Sequence, residues 1–226
     1  MTGLLDAAGV WCDVRPGRAP TQDGGSGGGA RPALFLDRDG TLIEHVHYLR
    51  LAGDVRPIAD AVAAVQAANA AGWAVVVVTN QSGVGRGYFG WEDVAAVQDR
   101  LYELLGAAGA VVDAAYACGH APPDAGGPAR SGFRKPAPGM LLRARDDLDL
   151  DLGRSWIAGD GAHDLAAGRA AGLCGGILVP TGYGARPDER DGALALAGDG
   201  FEVAIGGFEA LPFLQSAVPV SGAAPR

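Results

Sequence analysis

Long apolar runs, cysteine and positive charge are all scarce in this 226-residue chain, and each scarcity excludes something. No stretch of 18 or more apolar residues occurs, so no membrane-spanning helix and no membrane partner are expected. Cysteine appears three times, as Cys12, Cys118 and Cys174. An odd, widely spaced set makes a poor disulfide framework and fits a reducing cytosol. The N-terminus lacks a basic stretch followed by an apolar one, so no secretory signal is expected and a cytoplasmic location follows. Lysine and arginine total 18 against 26 acidic residues, for a net charge of −8 and a pI near 4.9. Binding to nucleic acid needs a basic footprint on phosphates, which argues against that partner. A small phosphorylated ligand stays possible, because a few local cations serve it. What is abundant is apolar content, 48% of the chain, enough for a full core. The length suits one domain better than two. A monomer is expected.

Glycine (37) and proline (14) are also abundant and unevenly spread. Residues 13–32 read DVRPGRAPTQDGGSGGGARP, and the Gly24–Gly29 tract predicts a flexible linker. Residues 1–30 are therefore expected to be a leader, with the folded body over 31–218 and a tail at 219–226. Removing the leader is expected to leave stability and rate nearly unchanged. From Arg31 onward, strands and helices alternate. Strands are predicted at Ala33–Asp37, Ala74–Thr79, Val111–Ala117, Trp156–Ala158, Gly176–Val179 and Phe201–Ile205. Helices are predicted to open at Pro57 and to span Trp91–Leu105, Met140–Leu148, His163–Ala171 and Phe208–Leu214. The run AVVVVT suits a central parallel strand covered on both faces. This alternation predicts an α/β fold, a doubly wound and mostly parallel sheet of Rossmann-like form. In such sheets the site lies beyond the carboxyl ends of the strands.

The polar residues that end the strands carry the chemistry. The first predicted strand ends in Asp37-Arg38-Asp39-Gly40-Thr41, and the second in Thr79-Asn80-Gln81-Ser82-Gly83. Arg134-Lys135-Pro136 follows the third, and Gly159-Asp160-Gly161 with Asp164 ends the fourth. The fold places all four segments at one sheet edge. Two aspartates two apart can divide labour, one attacking phosphorus and the other moving protons. Asp37 and Asp160 offer the hard oxygen ligands that Mg²⁺ prefers. Thr79 and nearby amides can hold phosphoryl oxygens, and Lys135 can balance the charge that develops.

In order and spacing these segments resemble the four motifs of the haloacid dehalogenase-like (HAD-like) phosphatases. The strings FLDRDGTL, VVVTNQSGVGRGYF and FRKPAPGML resemble its branch of heptose bisphosphate and histidinol phosphate phosphatases. The resemblance covers roughly residues 33 to 215. It implies a nucleophile at Asp37, a general acid/base at Asp39, and phosphoryl stabilisers at Thr79 and Lys135. It implies Mg²⁺ held by Asp37, the Asp39 carbonyl and Asp160, with Asp164 orienting the motif from behind. Asn80, Gln81, Ser82, Arg86 and Arg134 are implied as substrate contacts. The loops after the first two strands are too short for a large cap, so a capless, open site is expected. The implied reaction removes the C7 phosphate of a heptose 1,7-bisphosphate through an aspartyl-phosphate. Histidinol phosphate or another small sugar phosphate is the alternative substrate, and an inactive sugar-phosphate-binding protein the non-enzymatic one.

One departure stands out. The branch carries a zinc loop of the form Cys-x-His…Cys-x-Cys-Arg-Lys-Pro. Here Cys118 and His120 keep the first pair, while Ser131 and Phe133 replace the second. Structural zinc wants four good donors, so no zinc, or only weak binding, is expected. The loop is then expected to be held by packing of Phe133 and the prolines, or to be mobile. His45 and His47 follow the first motif and are equally compatible with a pocket wall or a surface position.

Overall fold

A computed structural model of the chain describes residues 3–15, 30–128 and 131–215. The Gly24–Gly29 tract and the 219–226 tail lie outside the described residues. Eight strands form one sheet: β1 (Leu4–Leu5), β2 (Val10–Val14), β3 (Ala33–Leu36), β4 (Ala74–Asn80), β5 (Ala114–Cys118), β6 (Trp156–Gly159), β7 (Gly175–Leu178) and β8 (Glu202–Ile205). Their spatial order is β1-β2-β5-β4-β3-β6-β7-β8. Strands β5, β4, β3, β6, β7 and β8 run parallel, and β1 and β2 run antiparallel at the β5 edge.

Central β4 shows why its sequence is continuous rather than alternating. Val75 and Val77 pack into a core on one face, with α1 (Ala59–Ala70) and α3 (Trp91–Ala107). Val76 and Val78 pack into a second core on the other face, with α4 (Gly139–Leu148) and α5 (Ala162–Ala171). Both faces are covered, so every position from Ala74 to Val78 is apolar, and polar residues appear only at the carboxyl end. The strand starts are pinned by buried polar groups. The Asp113 carboxylate accepts the Val75 N–H at 2.8 Å, and Ser155 Oγ accepts the Ala33 N–H at 2.8 Å.

Three expectations change. The folded body begins well before Arg31, because β2 pairs along its length with β5, from Val10 opposite Cys118 to Val14 opposite Ala114. Val10, Trp11 and Asp13 are buried there, so this part of the expected leader is an edge of the sheet. Pro57 does not open α1. It sits in a short antiparallel bridge with Ile43, which ties the segment after β3 to the base of the helix. The Gly/Pro/Asp-rich stretch after β7 contains a helix, α6 (Pro187–Leu194), and the last predicted helix is a 3₁₀ turn at Phe208–Ala210 followed by the short α7 (Pro212–Gln215). The stretch from Gln81 to Gly90 holds only a one-turn helix, α2 (Ser82–Gly85), so neither it nor the segment between β3 and α1 carries a cap domain.

Candidate active site

The carboxyl ends of β3, β4 and β6, with the segment that precedes α4, meet around a cavity of about 240 Å³. Behind Asp37, which lines it, lies Lys135, nearly inaccessible to solvent, whose Nζ is 2.6 Å from Asp37 Oδ1, 2.6 Å from Asp164 Oδ1 and 2.6 Å from the Val78 carbonyl. Asn80 fixes Lys135 from the side. Its Oδ1 accepts the Lys135 N–H at 3.0 Å and its Nδ2 donates to the Lys135 carbonyl at 3.1 Å. The amide expected to meet substrate is thus engaged with main chain and acts as a brace.

Asp39 is held differently. Arg38 is fully buried and donates Nε to Asp39 Oδ2 at 3.0 Å, with its Nη2 at 2.9 Å from the same oxygen. Gln81 Nε2 donates to Asp39 Oδ2 at 2.8 Å and to Thr79 Oγ1 at 2.9 Å. Both Gln81 protons therefore orient neighbouring site residues. The other Asp39 oxygen, Oδ1, is buried and makes no hydrogen bond. Asp164 does two jobs at once. Its Oδ2 accepts the Gly161 N–H at 3.0 Å, capping α5, while Oδ1 meets Lys135. Asp160 Oδ2 accepts the Tyr183 N–H at 2.8 Å. At Gly40, φ is +93° and a Cβ would collide with Asp160 Oδ2, so only glycine lets this turn approach the carboxylate.

Electrostatics separate these carboxylates. Burial pushes Asp37 up to about 6 even though Lys135 pulls the other way, and the Asp164 and Asp39 charges add to the rise. Burial, then the Asp37 charge, pushes Asp160 up to about 7. Burial would also raise Asp164, yet Lys135, His163 and the Gly161 N–H hold it below the ordinary carboxylate range. Lys135 itself stays above the usual lysine range, because Asp164 and Asp37 outweigh the cost of its burial. Three buried carboxylates (Asp37, Asp160 and Asp164) thus face one buried ammonium. The imbalance of two negative charges fits a divalent cation. Among the described residues no three His, Cys, Asp or Glu side chains form a metal cage. Two carboxylates and open water positions suit Mg²⁺, which keeps several waters.

The structure gathers Asp37, Asp39, Thr79, Asn80, Gln81, Ser82, Arg134 and Asp160 around the cavity. His45 and His47 line its rim together with Tyr48, Phe89 and Tyr183. Arg86 does not line it; its Nε is buried without a hydrogen bond. Sequence reasoning missed Arg38 and the 181–183 turn, where Thr181 Oγ1 donates to the Gly40 carbonyl at 2.5 Å. The Asp-Arg-Asp string was the available signal for Arg38. The turn after β7 carried none. In the 118–133 loop, Ser131 Oγ lies 2.8 Å from His120 Nδ1 and 3.9 Å from Cys118 Sγ. The loop is organised by a serine hydroxyl, beyond the packing expected of it.

Comparison with known proteins agrees with this geometry. The family model for HAD-hydrolase-like proteins matches residues 132–199. The D-glycero-D-manno-heptose-1,7-bisphosphate 7-phosphatase of Thermosynechococcus vestitus is 46% identical over 162 residues, covering 69% of this chain and 82% of that protein. The D-glycero-beta-D-manno-heptose-1,7-bisphosphate 7-phosphatase of Mesorhizobium japonicum is 47% identical, covering 66% of this chain and 69% of that one. Among solved structures, a Mesorhizobium loti protein assigned to the HAD-like phosphatases superposes with a TM-score of 0.69 at 38% identity, covering 85% of this chain and 96% of its own. The D,D-heptose 1,7-bisphosphate phosphatase of B. bronchiseptica, complexed with magnesium and phosphate, gives 0.63 at 31% identity, covering 76% and 92%. With strand-end aspartates, a buried lysine and these relatives in agreement, the chain belongs to the haloacid dehalogenase-like phosphatases, in the branch of the heptose 1,7-bisphosphate 7-phosphatases.

Proposed function

We propose that this protein is a magnesium-dependent phosphomonoesterase that removes the C7 phosphate of D-glycero-D-manno-heptose 1,7-bisphosphate. The observation that carries the reading is the Asp37–Lys135–Asp164 chain beside an Arg38-anchored Asp39. Asp37 Oδ2 is the oxygen not taken by Lys135 and attacks phosphorus. The P–O bond to the sugar breaks and leaves an aspartyl-phosphate. Asp39 gives its proton to the departing sugar oxygen, then takes one from the water that hydrolyses the intermediate. Asp39 lines the cavity, held in place by Arg38 and Gln81, and presents its carboxyl group for both transfers. Lys135 balances charge on the transferring phosphoryl group, and Thr79 and Ser82 offer it hydroxyl donors. Asp37, Asp160 and main chain at Asp39 would hold Mg²⁺, which supplies charge neutralisation between the attacking carboxylate and the anionic phosphate. Arg134, at the cavity wall, contacts the rest of the substrate. The protein works without zinc, as a monomer, in the cytoplasm; among the described residues no helix is long and apolar enough to cross a membrane.

The test is phosphate release with Mg²⁺ from both anomers of heptose 1,7-bisphosphate, histidinol phosphate and simple sugar phosphates, with Asp37→Asn as blank. Strong preference for a heptose anomer supports the reading. Preference for histidinol phosphate keeps the chemistry and replaces the substrate. Silence across the panel points to a sugar-phosphate-binding protein.

A further inference from the structure

Arg134 and Lys135 are neighbours in sequence, yet they are held by separate devices. Lys135 is gripped by Asn80, Asp37, Asp164 and Val78. Arg134 directs its own hydrogen bonds elsewhere. Its N–H donates to Ser131 Oγ at 2.9 Å, and the Phe133 N–H points at the same oxygen at 3.3 Å. Its Nη1 donates to the His120 carbonyl at 3.1 Å. A serine oxygen has two lone pairs, and two main-chain N–H groups take them. The Ser131 O–H is then left to pair with His120 Nδ1, 2.8 Å away. Behind the ring stands the turn between β1 and β2. Gly9 has φ of +74°, and a Cβ there would lie 3.0 Å from His120 Nε2.

We propose that Ser131 and His120 form a metal-free clamp that positions Arg134 at the wall of the active-site cavity, with the N-terminal hairpin as its backstop. The clamp fixes Arg134 at both main chain and guanidinium. It leaves Lys135 to its own partners, so it tunes capture of substrate and not the chemical step. That consequence for substrate rests on the phosphatase reading; the hold on the segment does not.

The test therefore has two arms, both on the full chain. Amide exchange over residues 131–137 reads the clamp without any substrate. Ser131→Ala is expected to speed exchange at Phe133 and Arg134 at least tenfold, while Ser131→Thr and His120→Asn, which keep a hydroxyl donor and an acceptor, stay near the parent. Unchanged exchange in Ser131→Ala overturns the proposal. In the kinetic arm, with heptose 1,7-bisphosphate, Ser131→Ala is expected to raise KM about tenfold with kcat within twofold. In an Arg134→Ala background the same substitution is expected to add nothing further. Equal losses in kcat, or additive effects with Arg134→Ala, overturn the positioning role. If the parent releases no phosphate, the phosphatase reading fails and exchange alone decides the clamp.

Discussion

Asp37 and Asp39 are two residues apart on one strand end, yet they meet different partners. Asp37 faces an ammonium, and Asp39 faces a guanidinium and an amide. Both aspartates were legible in the sequence, because polar groups at the ends of apolar strands have few structural reasons to be there. The partners that tell them apart were less legible. Arg38 sits between them and is almost wholly buried, an unusual place for an arginine, with Asp39 as its carboxylate partner. Asn80 lay in the right motif, but which groups it engages depends on a segment 55 residues away. Asp37→Asn is expected to reduce kcat by about 10³-fold or more while the circular dichroism spectrum stays unchanged, since it removes a nucleophilic charge and little volume. Arg38→Met is expected to lower kcat by about 10- to 100-fold at little cost in KM, because Asp39 loses its fixed orientation rather than the substrate its contacts. Steady-state kinetics on the two variants separates these outcomes.

Elements differ in how openly the sequence declares them. β4 and α3 are long and strongly patterned, and their type follows from local residues alone. β2 is five residues, VWCDV, with both Trp11 and Asp13 buried and no alternation to mark it. Its partner β5 is distant in sequence, and the glycine tract after it reads as a boundary. α6 carried its signals, a proline in the first turn with Asp188 and Glu189, but charge and Gly192 disguised it. The buried Trp11 reverses the expectation for truncation. Deleting residues 1–30 is expected to lower the melting temperature markedly, and Trp11→Ala alone to cost about 3–5 kcal/mol in a denaturant titration. The 118–133 loop supports a converse experiment. The 3.9 Å between Cys118 Sγ and Ser131 Oγ is close to the sulfur–sulfur spacing of about 3.8 Å around tetrahedral zinc. Combining Ser131→Cys with Phe133→Cys is expected to create one tightly held zinc per chain, measured by elemental analysis, where the parent carries none in stoichiometric amount.

For the molecule as a whole, the active site is a source of instability that its metal removes. Without a cation, burial pushes Asp37 up to about 6 and Asp160 up to about 7 in the folded protein, above the ordinary carboxylate range. The folded state then binds protons that the unfolded state has released. Stability from these groups is full below the unfolded value and lost as pH rises through 6 and 7. Asp164 works in the opposite sense, but its contribution is complete above the ordinary carboxylate range and is lost only in acid. In chelator, the melting temperature is therefore expected to fall by on the order of 5 °C between pH 5 and pH 8. Added Mg²⁺ is expected to restore it, with a larger shift at pH 8 than at pH 5. A thermal-shift series across pH, with and without magnesium, reads both.

The pairing of β2 with β5 also sets an order of events during synthesis. Val10 must wait for Cys118, 108 residues later, before its strand can join the sheet. At ribosomal speeds of 5–20 residues per second, that wait is about 5 to 20 s. Throughout it Trp11 has no core to enter, because the strand beside which it packs does not yet exist. Any chain halted before residue 118 leaves Val10–Val14 without its partner strand, which makes that segment the point where a stalled copy of this protein is open to chaperones and to aggregation.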